Sequence, residues 1–210
     1  MKVTLKEKAY QKIKKAILEG RFKPGDFLSE RMLVEQLEIS RTPIRSALER
    51  LEAEGFIKQS PKQGIVVEII SLDKAMDIYD LRVAVETHVA KSLARKKIDD
   101  ENRLAVEKIL MEQKMYMEKG DFDHFSDKDF EFHRKLAEIY GNREIIQILD
   151  QIREKLTLIA INVMRKQEAR IQTAYEEHVR IFDFILAGKD KEAADEVREH
   201  FVRGQNILIT

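Results

Sequence analysis

Apolar residues recur along the first third of the chain at two different spacings. From Lys6 to Glu19, Ala9, Ile13, Ala16 and Ile17 fall three and four apart, which marks one face of a helix, and Gly20 ends the run. Phe22 to Asp26, F-K-P-G-D, reads as a turn. Ser29 is placed to cap a short helix ending near Leu37, and Ser40 to cap a third helix reaching about Glu54 before Gly55. In that third helix Ile44, Ala47, Leu48 and Leu51 form one stripe. Pro43 lies in its first turn, where the missing N–H costs nothing. The pattern then changes. Phe56-Ile57-Lys58 and Ile65-Val66-Val67 flank Pro61-Lys62-Gln63-Gly64, which predicts a hairpin with a basic tip.

Beyond residue 71 the helical spacing is sustained. It predicts about six helices over 72–97, 100–119, 122–140, 142–166, 168–187 and 190–208. Breaks fall at Asp99-Asp100, Gly120-Asp121, Gly141-Asn142 and Gly188. All three prolines and four of the eight glycines lie before residue 71, and the long remainder is proline-free. The expected fold is mostly α. A small helical unit with a wing-like hairpin spans 1–70, and an all-helical bundle spans 71–210.

Composition narrows the function classes. A 43% hydrophobic content over 210 residues is enough for a packed core. With no cysteine, disulfides, thiolate metal sites and cysteine nucleophiles are excluded. No apolar run reaches the length of a membrane span, and the charged N-terminus lacks a signal-peptide core, so the expected compartment is the cytoplasm. Charged residues make up 36%, against roughly 25% in an average domain, an excess of the kind found in surface ion-pair networks. The 38 basic and 38 acidic side chains balance overall but not locally. Residues 1–70 carry 14 and 10 of them, leaving that part positive and the rest negative.

Two short helices joined by a tight turn, the second capped and basic at its start, suggest a helix-turn-helix. Arg41, Thr42 and Arg45 lie opposite the Ile44/Leu48/Leu51 stripe. Arginine can pair bidentately with guanine, and threonine can meet a phosphate or a thymine methyl. Lys62 and Gly64 on the hairpin would serve a wing, the first by charge and the second by close backbone approach to phosphates. Arg31, early in the supporting helix, is a further candidate. The plainer reading of Arg41 and Arg45 is a solvated helix face.

These residues carry a family resemblance. Pro24-Gly25-Asp26-x-Leu28-Ser29-Glu30-x-x-Leu33, then Ile39-Ser40-Arg41-Thr42-Pro43-Ile44-Arg45-x-Ala47-Leu48-x-x-Leu51-x-x-Glu54-Gly55, then Gly64-x-x-Val67, resembles the GntR family of bacterial transcription regulators. The resemblance covers nearly all of 7–68. It implies a winged helix-turn-helix that reads a palindromic double-stranded operator as a homodimer. It places Arg31, Arg41, Thr42, Arg45 and Gly64 at the DNA, and Ser40 and Lys62 complete the candidate DNA-binding set. Glu38 departs from the pattern, standing where the family usually has glycine in the turn, and Ser46 stands where glutamate is frequent. A non-glycine residue at such a turn is strained if the backbone is left-handed.

Asp129 and His133 are four apart and share a helix face, while His178 and His200 fall on two later helices. A carboxylate with three imidazoles is a competent set for Zn, Ni, Mn, Co or Fe, and a helical bundle can bring such groups together. Helical histidines are more often plain core or surface groups, so spacing alone does not decide. Asp129-x-x-Phe132-His133 followed by His178 and His200 resembles the metal-binding pattern of the FCD domain, the all-helical effector domain of the FadR-type branch. Asp80-Leu81-Arg82 with Glu86, and Gly141-Asn142, also resemble that domain.

The resemblance implies a divalent metal, zinc or nickel ahead of manganese, cobalt or iron, and a small carboxylate effector. Arg82 would clamp the carboxylate, or else form an ordinary surface ion pair with Glu86. Asn162, inside the apolar run Leu158–Met164, faces the pocket or bonds across helices. His124 is expected at the surface and His88 in a structural role. Phe122, Phe125, Phe130, Phe132 and Tyr140 are expected in the core. The function expected is a metabolite-responsive DNA-binding regulator with no membrane partner. The competing readings are constitutive DNA binding with a structural metal, and a metalloenzyme, for which no H-E-x-x-H motif is present.

Overall fold

The computed structural model describes residues 4–18, 20–23, 25–60, 64–67 and 72–210. The chain divides into two compact units, Met1–Ser71 and Leu72–Thr210. In the first, α1 (Leu5–Leu18) is followed by β1 (Phe27–Leu28), α2 (Glu30–Leu37), α3 (Arg41–Ala53), β2 (Ile57–Ser60) and β3 (Gly64–Val67). Ala9, Ile13 and Ile17 of α1 meet the α3 stripe of Ile44, Ala47, Leu48 and Leu51, all of them buried. Ser29 caps α2, accepting a hydrogen bond from the Met32 N–H at 3.2 Å. Ser40 occupies the N-cap position of α3, but its side chain makes no capping hydrogen bond, contrary to expectation.

The turn between α2 and α3 contains Glu38 at φ 55°, ψ 39°. Among the described residues it alone of the non-glycines has positive φ. The three strands are antiparallel in the order β1-β3-β2, with Ile57 opposite Val67 and Ser60 opposite Gly64. The hairpin is thus present, while its expected tip at 61–63, including Lys62, lies outside the described residues. Strand β1, which pairs Phe27 with Val66, was not expected, because two residues are too short to show alternation.

A partly buried polar knot ties α1 to the end of α3. The Tyr10 hydroxyl donates to Glu54 Oε2 at 2.6 Å, and Lys14 Nζ donates to the same oxygen at 3.1 Å. The Arg50 guanidinium lies 3.6 Å from the centre of the Tyr10 ring. Burial opposes the Glu54 charge, but the hydrogen bonds from Tyr10 and Lys14 hold its carboxyl below the usual range.

The second unit consists of α4 (Leu72–Leu93), α5 (Asp100–Glu118), α6 (Phe122–Tyr140), α7 (Arg143–Lys166), α8 (Arg170–Leu186) and α9 (Asp190–Ile209). The breaks read from the sequence are caps. Asp99, Asp121 and Asn142 accept from backbone N–H groups of α5, α6 and α7, and Gly141 ends α6 in the left-handed region. Helix α4 stops at Leu93 rather than 97, because the chain turns over Ala94–Lys96 before Asp99 starts the next helix. The most extensive packing is α4 along α9, with α6 against α5 and α7, and α8 against α9. Phe125, Phe130 and Phe132 are buried, while Phe122 and Tyr140 are half-buried.

Candidate functional site

Helix α6 presents Asp129 and His133 one turn apart on its inner face; α8 adds His178 and α9 adds His200. All four are buried, and their donor atoms lie within 4.8 Å of one another. His133 Nε2 is 3.2 Å from His178 Nε2, which is 3.4 Å from both His200 Nε2 and Asp129 Oδ1. Ligand atoms about 2.1 Å from one ion stand about 2.9–3.4 Å apart, so these gaps are those of a coordination shell.

The outer ring nitrogens explain why the inner ones converge. His133 Nδ1 faces Glu86 Oε2 at 2.6 Å, His178 Nδ1 faces Gln113 Oε1 at 2.9 Å, and His200 Nδ1 faces Glu177 Oε2 at 2.6 Å. Each neutral imidazole has one N–H, and an acceptor holds it on Nδ1. All three Nε2 atoms then carry lone pairs aimed at one another and at a carboxylate. Lone pairs so arranged repel, and they need a cation between them. On His178 and His200 protonation is disfavoured. Burial, then His200 and His133, push His178 well below the usual histidine range. Burial, then Arg170 and His133, do the same to His200. The donor set therefore fits a divalent metal.

Beside this centre lies a cavity of about 40 Å³, lined by Tyr79, Arg82, Asp129, Arg170, His200 and Gly204 on its polar side. Its apolar wall includes Phe125, Ala160, Met164 and Ala174, which pack in the cluster that also holds Ile171. The volume holds two or three waters or a few heavy atoms. Arg82 is no surface ion pair. Its Nε donates to Glu86 Oε1 at 2.5 Å with both side chains buried, and its guanidinium lies 4.2 Å from the centre of the Phe201 ring. Burial opposes the Glu86 charge, but Arg82 and His133 hold its pKa at about 2. Arg82 is thereby pre-oriented with N–H groups left for an anion.

Arg170 was not foreseen. Its Nη1 pairs with Glu177 Oε2 at 2.7 Å and its Nη2 donates to the His200 carbonyl at 3.1 Å. Glu177, 1% exposed, also takes Arg203 Nη1 at 2.5 Å. Arg170, Glu177 and His178 share one face of α8, two turns apart, and a charged pair on an otherwise apolar face was the available signal. Gln113, wholly buried on α5, was also missed. Asn162 is exposed on the chain and does not line the cavity. The structure therefore does not place Asn162 at the pocket, and among the described residues it gives Asn162 no hydrogen bond to another helix. His124 is exposed and stacks on Tyr116, with ring centres 5.0 Å apart. His88 Nε2 lies 2.9 Å from the Tyr140 hydroxyl and joins α4 to α6.

In the winged unit, Ser40, Arg41 and Thr42 are exposed at the start of α3. Arg45, with 63% of its side chain exposed, donates from Nε to Glu30 Oε1 at 2.7 Å, and Arg31 pairs with Glu35 at 2.8 Å. Gly64 begins β3 at φ 81°, a left-handed conformation that favours glycine.

Comparison with known proteins gives these two units their family. Residues 5–67 match the family described as bacterial regulatory proteins, gntR family, and residues 77–203 match the FCD domain. An uncharacterized HTH-type transcriptional regulator of Bacillus subtilis, YdhC, is 30% identical over 91% of this chain and 85% of its own length. The gluconate operon transcriptional repressor of Bacillus licheniformis is 32% identical over 84% of this chain and 72% of its own. A putative transcriptional regulator GntR from Rhodococcus sp. RHA1 superposes with a TM-score of 0.81 at 20% identity, over 98% of each chain. These relatives are transcriptional regulators, not enzymes. Among the described residues, no helix is long and apolar enough to cross a membrane. A winged helix-turn-helix followed by an all-helical FCD domain places this chain in the GntR family of bacterial transcription regulators.

Proposed function

We propose that this regulator binds a palindromic operator as a homodimer and that a small carboxylate, held beside a divalent metal in the helical unit, changes its operator affinity. The observation that carries the reading is the set of three buried Nε2 lone pairs and one carboxylate converging beside a cavity with two arginines. Asp129, His133, His178 and His200 would hold the ion, with zinc or nickel the best match to three imidazoles and one oxygen. Bound there, the ion supplies a Lewis-acidic point of attachment for a carboxylate oxygen. Arg82 and Arg170 supply the counter-charge, and Glu86 and Glu177 hold those guanidinium groups in place. In the winged unit, Arg41, Thr42 and Arg45 would read base edges, with Arg31, Ser40, Gly64 and Lys62 at the backbone. The Arg45–Glu30 pair must open or be shared for Arg45 to reach a base.

The test is metal analysis of the purified protein, followed by melting curves over a panel of small carboxylates with and without chelator. The reading predicts about one metal per chain and a carboxylate-specific rise in melting temperature that chelation abolishes. Absence of metal and of any carboxylate response would overturn it.

A further inference from the structure

Gln113 stands apart from the other groups that back the three imidazoles. It lies on α5 and is wholly buried, and its Oε1 is 2.9 Å from His178 Nδ1. Its Nε2 is the one buried side-chain polar atom without a hydrogen-bond partner among the described residues. A buried amide nitrogen left unpaired is costly, and such a group calls for a reason.

The contrast is with the two carboxylates. Glu86 gives Oε2 to His133 and Oε1 to Arg82. Glu177 gives Oε2 to His200 and Arg170, and Oε1 to Arg203. An ionised carboxylate only accepts, and arginines pin both of these, so the N–H of His133 and of His200 is held on Nδ1. An amide has one accepting end and one donating end. At Gln113 only the imidazole decides which end faces it, because the far end has no partner to keep. Turned over, the amide donates to Nδ1 and puts the ring proton on Nε2. That N–H then lies 3.4 Å from Asp129 Oδ1 and 3.2 Å from His133 Nε2, both of which accept. One lone pair fewer faces the centre. The turned amide also leaves a carbonyl oxygen unpaired in place of its nitrogen, and an under-satisfied carbonyl is the more readily tolerated of the two.

We infer that Gln113 is a positioning residue that makes His178 the switchable member of the ligand set. With the amide oxygen toward the ring, Nε2 is free to bind an ion. With the amide nitrogen toward the ring, the Nε2–H closes the centre on Asp129 when no ion is bound. His133 and His200 keep one tautomer throughout. The inference rests on the metal reading above and is independent of what occupies the neighbouring cavity.

Nitrogen NMR of the imidazole rings reads the tautomers directly, in wild type loaded with zinc and again after chelation at the same mildly alkaline pH. The expected result is His178 with Nδ1–H in the loaded protein and Nε2–H in the chelated protein, while His133 and His200 keep Nδ1–H in both. Gln113→Glu keeps the acceptor and loses the donor. It should bind zinc at least as tightly as wild type in competition with a chelator, and its His178 should keep Nδ1–H after chelation. Gln113→Met keeps the bulk but holds neither tautomer, and it should weaken zinc binding by about 10- to 100-fold. A His178 tautomer that is the same in both states of wild type, or an unchanged zinc affinity in Gln113→Met, overturns the inference and leaves the metal reading intact. Wild type that binds no zinc overturns that reading, and this inference with it.

Discussion

His133 ties the helical unit's chemistry together. It gives Nε2 to the convergent set, and its Nδ1 rests on Glu86, which also holds Arg82. Removing this imidazole takes one candidate ligand from the set and leaves Glu86 with one hydrogen-bond donor fewer. His133→Ala is therefore expected to cut bound metal at least tenfold and to lower the melting temperature of the helical unit, with the winged unit still folded. Elemental analysis and differential scanning calorimetry report the two effects separately. His178 and His200 set the acid side of stability once metal is removed. Both are depressed below the usual 6.5 in the folded chain, so below that pH the unfolded chain binds protons that the folded chain refuses. Stability of the chelated protein is then lost as pH falls below about 6.5. Melting curves at pH 7.5, 6.5 and 5.5 should fall in that order. Glu86, held at about 2, adds a further loss as pH drops from 4.5 toward 2.

At the scale of elements, the helix ends were legible because caps are local chemistry. Asp99, Asp121 and Asn142 each bond a backbone N–H two or three residues on, so their positions can be read from spacing alone. The ligand set was legible in part for the same reason, since Asp129 and His133 share a helix face. Its convergence with His178 and His200 is tertiary, and it rested on family resemblance. Gln113 was not legible, because its partner lies on another helix, and β1 was not because it is two residues long; Arg170 left a trace in its pairing with Glu177 two turns on along α8, while its bond to the His200 carbonyl on α9 did not. Asn162 looked like a pocket residue only because its neighbours are apolar; it lies on the exposed side of α7. The turn between α2 and α3 shows a departure with a measurable cost. Glu38 is left-handed at φ 55°, and this conformation costs a residue with a Cβ about 1–2 kcal/mol. Glu38→Gly relieves the strain but frees the unfolded chain, so a net gain of about 0.5–1 kcal/mol is expected. Chemical denaturation of the isolated substitution checks it, and a loss of stability would show that the Glu38 side chain contributes more than its backbone strain removes.

For the whole molecule, the proposed regulation is a linkage with one side in each unit. The α3 face offers exposed Arg41, Thr42 and Arg45, and the helical unit offers a cavity beside the convergent Asp129, His133, His178 and His200. Arg45→Ala should weaken operator binding by about 1–3 kcal/mol and relax base preference at one position. Glu30→Gln, which frees Arg45 from its ion pair, should strengthen binding, and gel-shift titration reads both. Linkage also requires that a carboxylate which changes operator affinity be bound more or less tightly by the DNA complex, in the same ratio. The most direct test of the account is therefore operator affinity itself. An operator selected from random DNA would be titrated with metal-loaded protein, with and without a saturating carboxylate identified by thermal shift, and again after chelation. The account predicts a change of about 5- to 150-fold in operator affinity, present with metal and absent without it. An operator affinity indifferent to every carboxylate that the helical unit binds would contradict it, and would leave the metal a structural part of a constitutive DNA-binding protein.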